Sequence, residues 1–445
     1  MSNRIKTIAL AYIGLIVGAG FATGQEVIQY FLSFGEMGLW GAVIAGLLMT
    51  GGGLVILQLG SYFFAQDHSH VFQSITQKWV AWFLDIATTI TLFALGFVML
   101  AGAGSALNQQ YGWPLWIGST VMTVLVLLTG LIDVDKVTDI IGKITYLLII
   151  LVIVAFIYAM TQLPVDMSAM DALAKQQEHP ISNWWLSAIN YAGLVMIMGV
   201  SMILVIGGNI GSPREAGWGG FAGGLAYTIL LIMLTVSLFI TFDEVGNAAV
   251  PTLKMFGAIS PILANIAVWI VYLMIYNTAI GMFYAMGRRV SASRPDKFFP
   301  IFAVCTLVGF AISFFGFSSL MSVVYPILGY LGLVLTVVMV VAYLRQRPSI
   351  SAEDDRRIAI RALIYKQQHP EKVFTQKDAK KMHKLYGESD ADHHDVREAL
   401  SKEVVDKLHS ESDVDYKAPE NLDKVGVPPT GQELKDLPTD EKNIK

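Results

Sequence analysis

The 445-residue sequence has one cysteine and few charged residues, and both shortages narrow the classes of protein it can belong to. The single thiol, Cys305, cannot form an intramolecular disulfide. Charged residues make up 15% of the chain, against about 25% in soluble globular proteins, which disfavours a soluble enzyme with a single core. The net charge of -4 supplies no basic field, so no nucleic-acid partner is expected.

The charge that is present lies mostly near the C-terminus. Residues 1–347 contain 28 charged residues and are neutral overall, whereas residues 348–445 contain 38 and carry the whole net charge. The first part has apolar runs of the length that a bilayer crossing needs, about 20 residues each. We therefore predict a membrane core followed by a cytoplasmic tail, whose helices start at capping boxes in Ser351–Asp354 and Thr375–Asp378 and which is disordered from Glu411.

The membrane core divides into ten predicted spans, so both termini lie on one side. With the N-terminus inside, twelve Lys and Arg residues fall in cytoplasmic segments, against two outside, Lys175 and Lys254. This asymmetry predicts a multi-pass protein of the plasma membrane with both termini in the cytoplasm. The spans are predicted at 6–34, 38–66, 79–108, 114–132, 140–162, 183–209, 217–242, 260–290, 298–315 and 318–344.

The two halves of the core resemble each other. A shift of 178 residues matches two dipeptides of each half: Trp40-Gly41 with Trp218-Gly219, and Gly46-Leu47 with Gly224-Leu225. Because five spans separate the matched helices, the second copy enters the membrane from the opposite face, as in the inverted repeats of many secondary transporters. We predict repeat one over about 6–162 and repeat two over about 183–344; chance matches between glycine-rich helices are the alternative.

The first span is rich in glycine, with four in the eleven residues from Gly14 to Gly24. Each weakens a helix by about 1 kcal/mol relative to alanine, and lipid offers no partner for freed backbone groups. We predict a break near Gly18–Gly20, although glycines that only allow close helix packing give the same pattern. Gln25 and Glu26 follow directly. A carboxylate about 12 Å deep indicates a gate, a proton carrier or an ion ligand, the alternative being a wet vestibule.

Two further spans hold polar groups near their midpoints. In span six, Asn190, Tyr191 and Gly193 lie where a second break would face the first, although such side chains also form hydrogen bonds between helices. Span eight contains Asn277 and Thr278 halfway along, with oxygen ligands of the hard type that sodium prefers by analogy with calcium. Thr278 is equally suited to a bond within its own helix.

The first span resembles the signature of the YkvI-type bacterial membrane proteins in its run Ile16-Val17-Gly18-Ala19-Gly20-Phe21-Ala22-Thr23-Gly24-Gln25-Glu26. These proteins are identified as members of the amino acid/polyamine/organocation transporter superfamily. The resemblance covers the ten spans and not the tail. It implies an all-α fold of ten transmembrane helices in a 5+5 inverted repeat of the LeuT type, which agrees with the span count and the offset found above.

The resemblance also implies which residues form the site. In sodium-coupled relatives, carbonyls before the break and ligands of span eight hold one ion; the matching positions are Gly14, Val17, Met274, Asn277 and Thr278. The substrate meets the unwound segment, span six and span three; the matching positions are Gly18, Ala19, Gly20, Phe21, Thr23, Asn190, Tyr191, Gly193 and Phe97. Gln25 and Glu26 are then gate or coupling residues. Proton-coupled relatives carry a lysine in span five, where Lys143 lies near the cytoplasmic end.

These features predict a secondary active transporter of a small organic solute, an amino acid or related zwitterion, that works by alternating access coupled to sodium or, second, to protons. The alternative is a ligand-sensing receptor on a transporter scaffold, with the tail as its output and as a candidate surface for a cytoplasmic partner. An enzyme is not expected, because the spans contain no metal-spaced His/Asp/Glu cluster and no nucleophile motif. Apart from Na⁺ as the coupling ion, no cofactor is expected.

Overall fold

The computed structural model describes residues 3–131, 144–163, 165–411, 416 and 425–439, and within these ranges it contains helices and no strands. The predicted all-α class is therefore confirmed for the described chain. The α-helices are α1 (Asn3–Ile16), α2 (Ala19–Thr23), α3 (Gln25–Tyr30), α4 (Glu36–Tyr62), α5 (His68–Ile75), α6 (Lys78–Tyr111), α7 (Leu115–Thr129), α8 (Ile144–Thr161), α9 (Met167–Ala174), α10 (Trp184–Gly208), α11 (Pro213–Ile240), α12 (Phe242–Val245), α13 (Pro251–Ile259), α14 (Pro261–Val290), α15 (Phe298–Ser313), α16 (Phe317–Gln368), α17 (Gln376–Gly387), α18 (His393–Ser410) and α19 (Gly431–Asp436).

Seven of the described helices are long and apolar enough to cross a membrane, namely α4, α6, α10, α11, α14, α15 and α16. Helices α7 and α8 are apolar but shorter, and the first predicted span is divided among α1, α2 and α3. Among its described residues, each predicted span thus contains helix, while ten crossings stay a prediction. Lys143, the lysine considered for proton coupling, lies outside the described residues.

Helices α1, α4, α10 and α11 pack together as a bundle. Where α4 crosses α11, a Cβ on Gly46 would lie 2.4 Å from Thr228, and a Cβ on Gly224 would lie 2.5 Å from Thr50. The two threonine hydroxyls are 3.2 Å apart, and these residues are separated by 178 positions, as are the two glycines. The crossing is therefore reciprocal. This agrees with the predicted inverted repeat, which itself stays a prediction.

A second group of helices lies beside this bundle. Helix α6 packs against α7, α14 and α15, and α8 contacts α11 of the bundle as well as α14. The short α2 also contacts α14, so the middle of the first span reaches from the bundle to the second group. This position places the glycine-rich segment between the two groups.

The predicted break in span six is wrong, because α10 is continuous. Gly193 lies where α10 meets α16, and a Cβ there would be 2.5 Å from the carbonyl oxygen of Gly329 and 2.8 Å from the amide nitrogen of Leu333. A Cβ on Gly332 of α16 would in turn lie 1.9 Å from the carbonyl oxygen of Gly193. These glycines let two helix backbones touch, and close packing of this kind stabilises unbroken helices in a membrane.

The last membrane helix, α16, continues past residue 347 to Gln368. The helix start predicted at Ser351–Asp354 is therefore wrong, since this box lies inside a helix that begins in the membrane core. The second predicted capping box is confirmed, because Thr375 and Asp378 cap the first turn of α17 reciprocally. The prediction of disorder from Glu411 is wrong for residues 425–439, where Val425 is buried in the core of the tail and α19 is helical. The other residues after Glu411, apart from Tyr416, lie outside the described residues.

The tail docks on the core through a buried arginine. Arg357 of α16 is fully buried, pairs with Glu353 at 2.8 Å, and donates to the carbonyl oxygens of Ser61 and Tyr62 at 2.8 and 2.9 Å. It thereby caps the end of α4, whose last carbonyls have no partner within the helix. Although burial opposes its charge, the Ser389 hydroxyl and the Arg357 guanidinium hold the pKa of Glu353 below its usual value.

Further polar contacts join the tail to other helix ends of the core. Asp354 accepts a hydrogen bond from the hydroxyl of Ser212, the residue that caps α11, at 2.6 Å. Arg4, at the start of α1, donates to the backbone carbonyl of Glu403 on α18 at 2.9 Å. The start of α1 and the tail therefore lie on the same side of the core. Which side is cytoplasmic stays a prediction.

Candidate functional site

The first span is broken, as its glycines predict. Helix α1 ends at Ile16 because the N–H of Gly18 donates to the carbonyl oxygen of Ile16 at 2.9 Å, which leaves the α-helical bonding pattern. Gly18 is extended, and α2 begins at the next residue. A second bend follows at Gly24, whose φ of +76° favours glycine because other residues have a Cβ that clashes there. The break predicted near Gly18–Gly20 is therefore confirmed.

Two threonines hold the short α2 in place. Thr23 donates to the carbonyl oxygen of Gly20 at 2.7 Å, and Thr252 of α13 donates to the carbonyl oxygen of Ala22 at 2.7 Å. These bonds satisfy carbonyls that a broken helix leaves without partners. The predicted substrate-binding residues of this segment, Ala19, Gly20, Phe21 and Thr23, are all buried.

Glu26 is 3% exposed and lies against α2, across the bend at Gly24. A Cβ on Gly20 would be 1.5 Å from Oε1 of Glu26, so glycine is required to leave room for the carboxyl group. Oε2 accepts a hydrogen bond from Tyr191 at 3.2 Å, and the Tyr191 hydroxyl is 2.8 Å from that of Tyr227. Oε1 has no hydrogen-bond partner among the described residues.

Polar contacts from α10 and α16 close the surroundings of this carboxyl group. Tyr30 of α3 donates to Oδ1 of Asn190 at 3.2 Å, and Nδ2 of Asn190 donates to the carbonyl oxygen of Pro326 at 3.0 Å. The Tyr325 hydroxyl of α16 is also buried and lies beside Glu26. Helices α3, α10 and α16 are therefore joined around one acidic side chain.

The structure thus brings together four residues that the sequence predicts, Gly20, Glu26, Asn190 and Tyr191. It adds three that the sequence reasoning missed, Tyr30, Tyr227 and Tyr325. A usable signal existed for all three. Like Tyr191, they are hydroxyl groups inside predicted spans, and that criterion, applied uniformly, selects them.

The predicted sodium ligands belong to the end of the first helix and to α14. Gly14, Asn277 and Thr278 are partly exposed, whereas Val17 and Met274 are buried. The hydroxyl of Thr278 donates to the carbonyl oxygen of Met274 at 3.1 Å, so two predicted ligands are bonded to each other within α14. No group of three or more His, Cys, Asp or Glu side chains that suits a metal occurs in the described part of the chain.

Three predicted site residues lie apart from the carboxyl group. Gln25, with Gln29, lines an open cavity of about 660 Å³ near the beginning of α16, at the opposite end of its membrane segment from the tail. Phe97 packs edge-on against Phe93 at 5.5 Å and lies beside Gly309 of α15. Gly193, as described above, packs on α16. The neighbours of Phe97 and Gly193 thus belong to α6, α15 and α16 rather than to α2.

Sequence comparison gives this chain a relative. No family model matches it. The uncharacterised membrane protein YkvI of Bacillus subtilis (strain 168) is 25% identical over 327 residues, which cover 73% of this chain and 92% of YkvI. The predicted resemblance to the YkvI-type proteins is confirmed.

Comparison with solved structures identifies proteins that share the fold of this YkvI-like chain. MhsT in complex with L-phenylalanine has a TM-score of 0.53 at 16% identity, covering 76% of this chain and 97% of MhsT. Mhp1, a nucleobase-cation-symport-1 family transporter in a closed conformation with bromovinylhydantoin bound, has a TM-score of 0.50 at 13% identity, covering 81% of this chain and 86% of Mhp1. The YkvI-like chain therefore has LeuT-fold neighbours.

Proposed function

We propose that the protein is a secondary active transporter that carries a small organic solute by alternating access. The supporting observation is that the two parts of the broken first helix have different surroundings. Gly14 and Gly18 are partly exposed, and a Cβ on either would meet no atom within 4 Å. Glu26, beyond the break, is sealed by tyrosines of three helices. Alternating access requires a central site that is open on one side and closed on the other.

Two further features support the transporter proposal. The reciprocal crossing of α4 and α11 fits an inverted repeat, and such repeats place the transport site at their interface. Among the structural neighbours, Mhp1 is a transporter and MhsT binds L-phenylalanine. We take an amino acid or related zwitterion as the solute, contacting the segment Gly18–Thr23 and the side of α10 that carries Asn190 and Tyr191.

The coupling ion is proposed to be a cation, with sodium tested first. A hard cation prefers oxygen ligands, and two sets of them are proposed here. One is the partly exposed side chains of Asn277 and Thr278 on α14, and the other is the carbonyl groups of Gly14 and Val17 before the break. Helix α2, which begins two residues after Val17, contacts α14, so the chain next to Val17 lies against the helix that carries Asn277 and Thr278. The Thr278 hydroxyl is held in position by its bond to Met274.

Uptake into proteoliposomes tests this function. The full chain is expected to accumulate labelled L-amino acids when an inward sodium gradient is imposed, compared with choline in place of sodium. The substitution Thr278→Val should weaken the dependence on sodium, whereas Thr235→Val should not. Thr235 is a matched control, a buried threonine of α11 that donates to the carbonyl of Leu231 at 2.6 Å. No gradient-dependent uptake of any organic solute would contradict the proposal.

A ligand-sensing receptor is the second candidate, and the docking of the tail favours it. Arg357 connects the tail directly to the end of α4 in the bundle, so a movement of α4 would be transmitted to the tail. A chain truncated after Gln368, which keeps α16 with its contacts to α4 and α11, separates the candidates, since a carrier still transports without the rest of the tail. Solute-dependent protection of the tail from protease, in a protein that shows no uptake, would favour the receptor.

A further inference from the structure

Glu26 faces tyrosines and no cation among the described residues. On its own helix it faces Tyr30, and from α10, α11 and α16 it faces Tyr191, Tyr227 and Tyr325. On helix α2, Gly20 packs against its Oε1. No ion pair of the described chain includes Glu26. The carboxyl group is thus buried among tyrosine hydroxyl groups, with no opposite charge beside it in the described chain.

A carboxyl group in these surroundings takes up a proton or binds a cation, because burying its bare charge is too costly. A metal ion needs several oxygen ligands around it, but Oε1 of Glu26 is packed against Gly20, which leaves no room for an ion on that side. A proton needs no cavity. Bound to the carboxyl group, it removes the buried charge and supplies an O–H donor among tyrosine hydroxyl groups that can accept it.

We propose that Glu26 is a proton-binding site, protonated in this conformation, and that it carries a coupling proton in the transport cycle. This inference rests on the proposed transport function and names the proton as a coupling ion. The proton comes from water on one side of the membrane and returns to water on the other. On uptake, an O–H bond of a hydronium ion breaks as the O–H bond of the carboxyl group forms, and on release the carboxyl O–H bond breaks as a water molecule accepts the proton.

The cavity lined by α3 offers a route for that proton. Gln25, Ile28 and Gln29 line it, whereas Glu26 on the same short helix faces Gly20. Successive residues of a helix are about 100° apart, so a rotation of α3 about Gly24 by one such step would turn Glu26 toward the cavity. Water stabilises the ionised form and the sealed position favours the neutral form. Protonation therefore favours closure of this side.

Infrared spectroscopy of the full chain in lipid nanodiscs tests the protonation without any solute. At neutral pH, the wild type is expected to show the carbonyl stretch of a protonated carboxylic acid, which Glu26→Gln lacks. The matched control Glu36→Gln changes an exposed glutamate at the start of α4 and should retain the band. Alkaline pH should abolish it in the wild type. Identical wild-type and Glu26→Gln spectra in this region at neutral pH would overturn the proposal.

Uptake of labelled L-amino acids under an inward proton gradient, with equal sodium concentrations on both sides of the membrane, tests the coupling. The wild type and Glu36→Gln should accumulate label, Glu26→Gln should lose this accumulation, and Glu26→Asp, which keeps a carboxyl group, should recover part of it. Melting temperatures establish that each variant is folded. Accumulation by folded Glu26→Gln equal to that of the wild type overturns the assignment.

Counterflow exchange, measured without any gradient, distinguishes a failure of the proton-coupling proposal from a failure of the transporter proposal. Wild-type exchange together with no response to the proton gradient overturns the role of Glu26 and leaves the transporter intact. Absence of wild-type exchange with every labelled amino acid counts against the proposed function. The infrared band still decides whether Glu26 holds a proton in either case.

Discussion

The first span and α10 have similar chemistry in mid-membrane and opposite conformations. Both place glycine beside polar side chains about halfway across, yet the first span is broken after Ile16 while α10 is continuous. The difference lies in what approaches each glycine. The backbone of α16 touches Gly193, whereas a Cβ on Gly18 would meet no atom within 4 Å.

Glycine therefore has two roles in this protein, and the neighbouring element decides which one applies. Against another helix, a glycine lets two helix backbones pack closely. This packing stabilises the helix and offsets the weakening that the backbone freedom of glycine causes. Beside open space, no such packing compensates, and the backbone groups of the break become available to a ligand. The density of glycine in the sequence does not distinguish the two cases.

The largest effect is expected at the contact of α10 with α16. Gly193→Ala would bring a Cβ within 2.5 Å of the Gly329 carbonyl oxygen, and separating two helix backbones should cost about 1–3 kcal/mol. Gly281→Ala in α14 is the matched control, because a Cβ there meets no atom within 4 Å. Thermal unfolding in detergent should show a lower melting temperature for the first variant only. Equal melting temperatures would remove the packing explanation for the continuous α10.

A smaller effect is expected at the break. Gly20→Ala would place a Cβ 1.5 Å from Oε1 of Glu26, and a side chain can move aside more easily than a backbone, so we expect a cost of about 1 kcal/mol. Gly18→Ala, two residues earlier, has open space and should unfold like the wild type. In a Glu26→Ala background the Gly20→Ala cost should disappear, because contacting residues are coupled. An unchanged cost in that background would mean that the carboxyl group does not occupy this position.

Much of the first span could be predicted from sequence because the cause is local. Four glycines within eleven residues weaken any helix. A carboxylate that follows them at membrane depth is costly to bury, so it is a candidate functional residue on the basis of this segment alone. The break and the candidacy of Glu26 therefore needed no knowledge of the rest of the fold. Thr278 shows what local sequence does not decide, because a threonine bonded within α14 and a threonine that binds an ion give the same sequence pattern.

The continuous α10 and the tyrosines around Glu26 could not be derived in this way. The partners of Gly193 are Gly329 and Leu333, more than a hundred positions away, and nothing local shows that α16 would cross at that residue. Tyr191 and Tyr227 are likewise on different helices, so their contact depends on how α10 and α11 pack. The sequence shows hydroxyl groups in the middle of spans, but it does not show that they lie around Glu26.

The smallest effect should come from the bond that ties α3 to α10. Tyr30→Phe removes the hydroxyl that donates to Oδ1 of Asn190 at 3.2 Å, and hydrogen bonds between membrane helices contribute about 0.6 kcal/mol on average. Tyr146→Phe, at an exposed position of α8, is the matched control and should not alter the melting temperature. Asn190 keeps its second bond, from Nδ2 to the carbonyl of Pro326, so α10 should stay anchored to α16. A large loss of stability in Tyr30→Phe would show that α3 itself, and not the packing at Gly193, holds α10 straight.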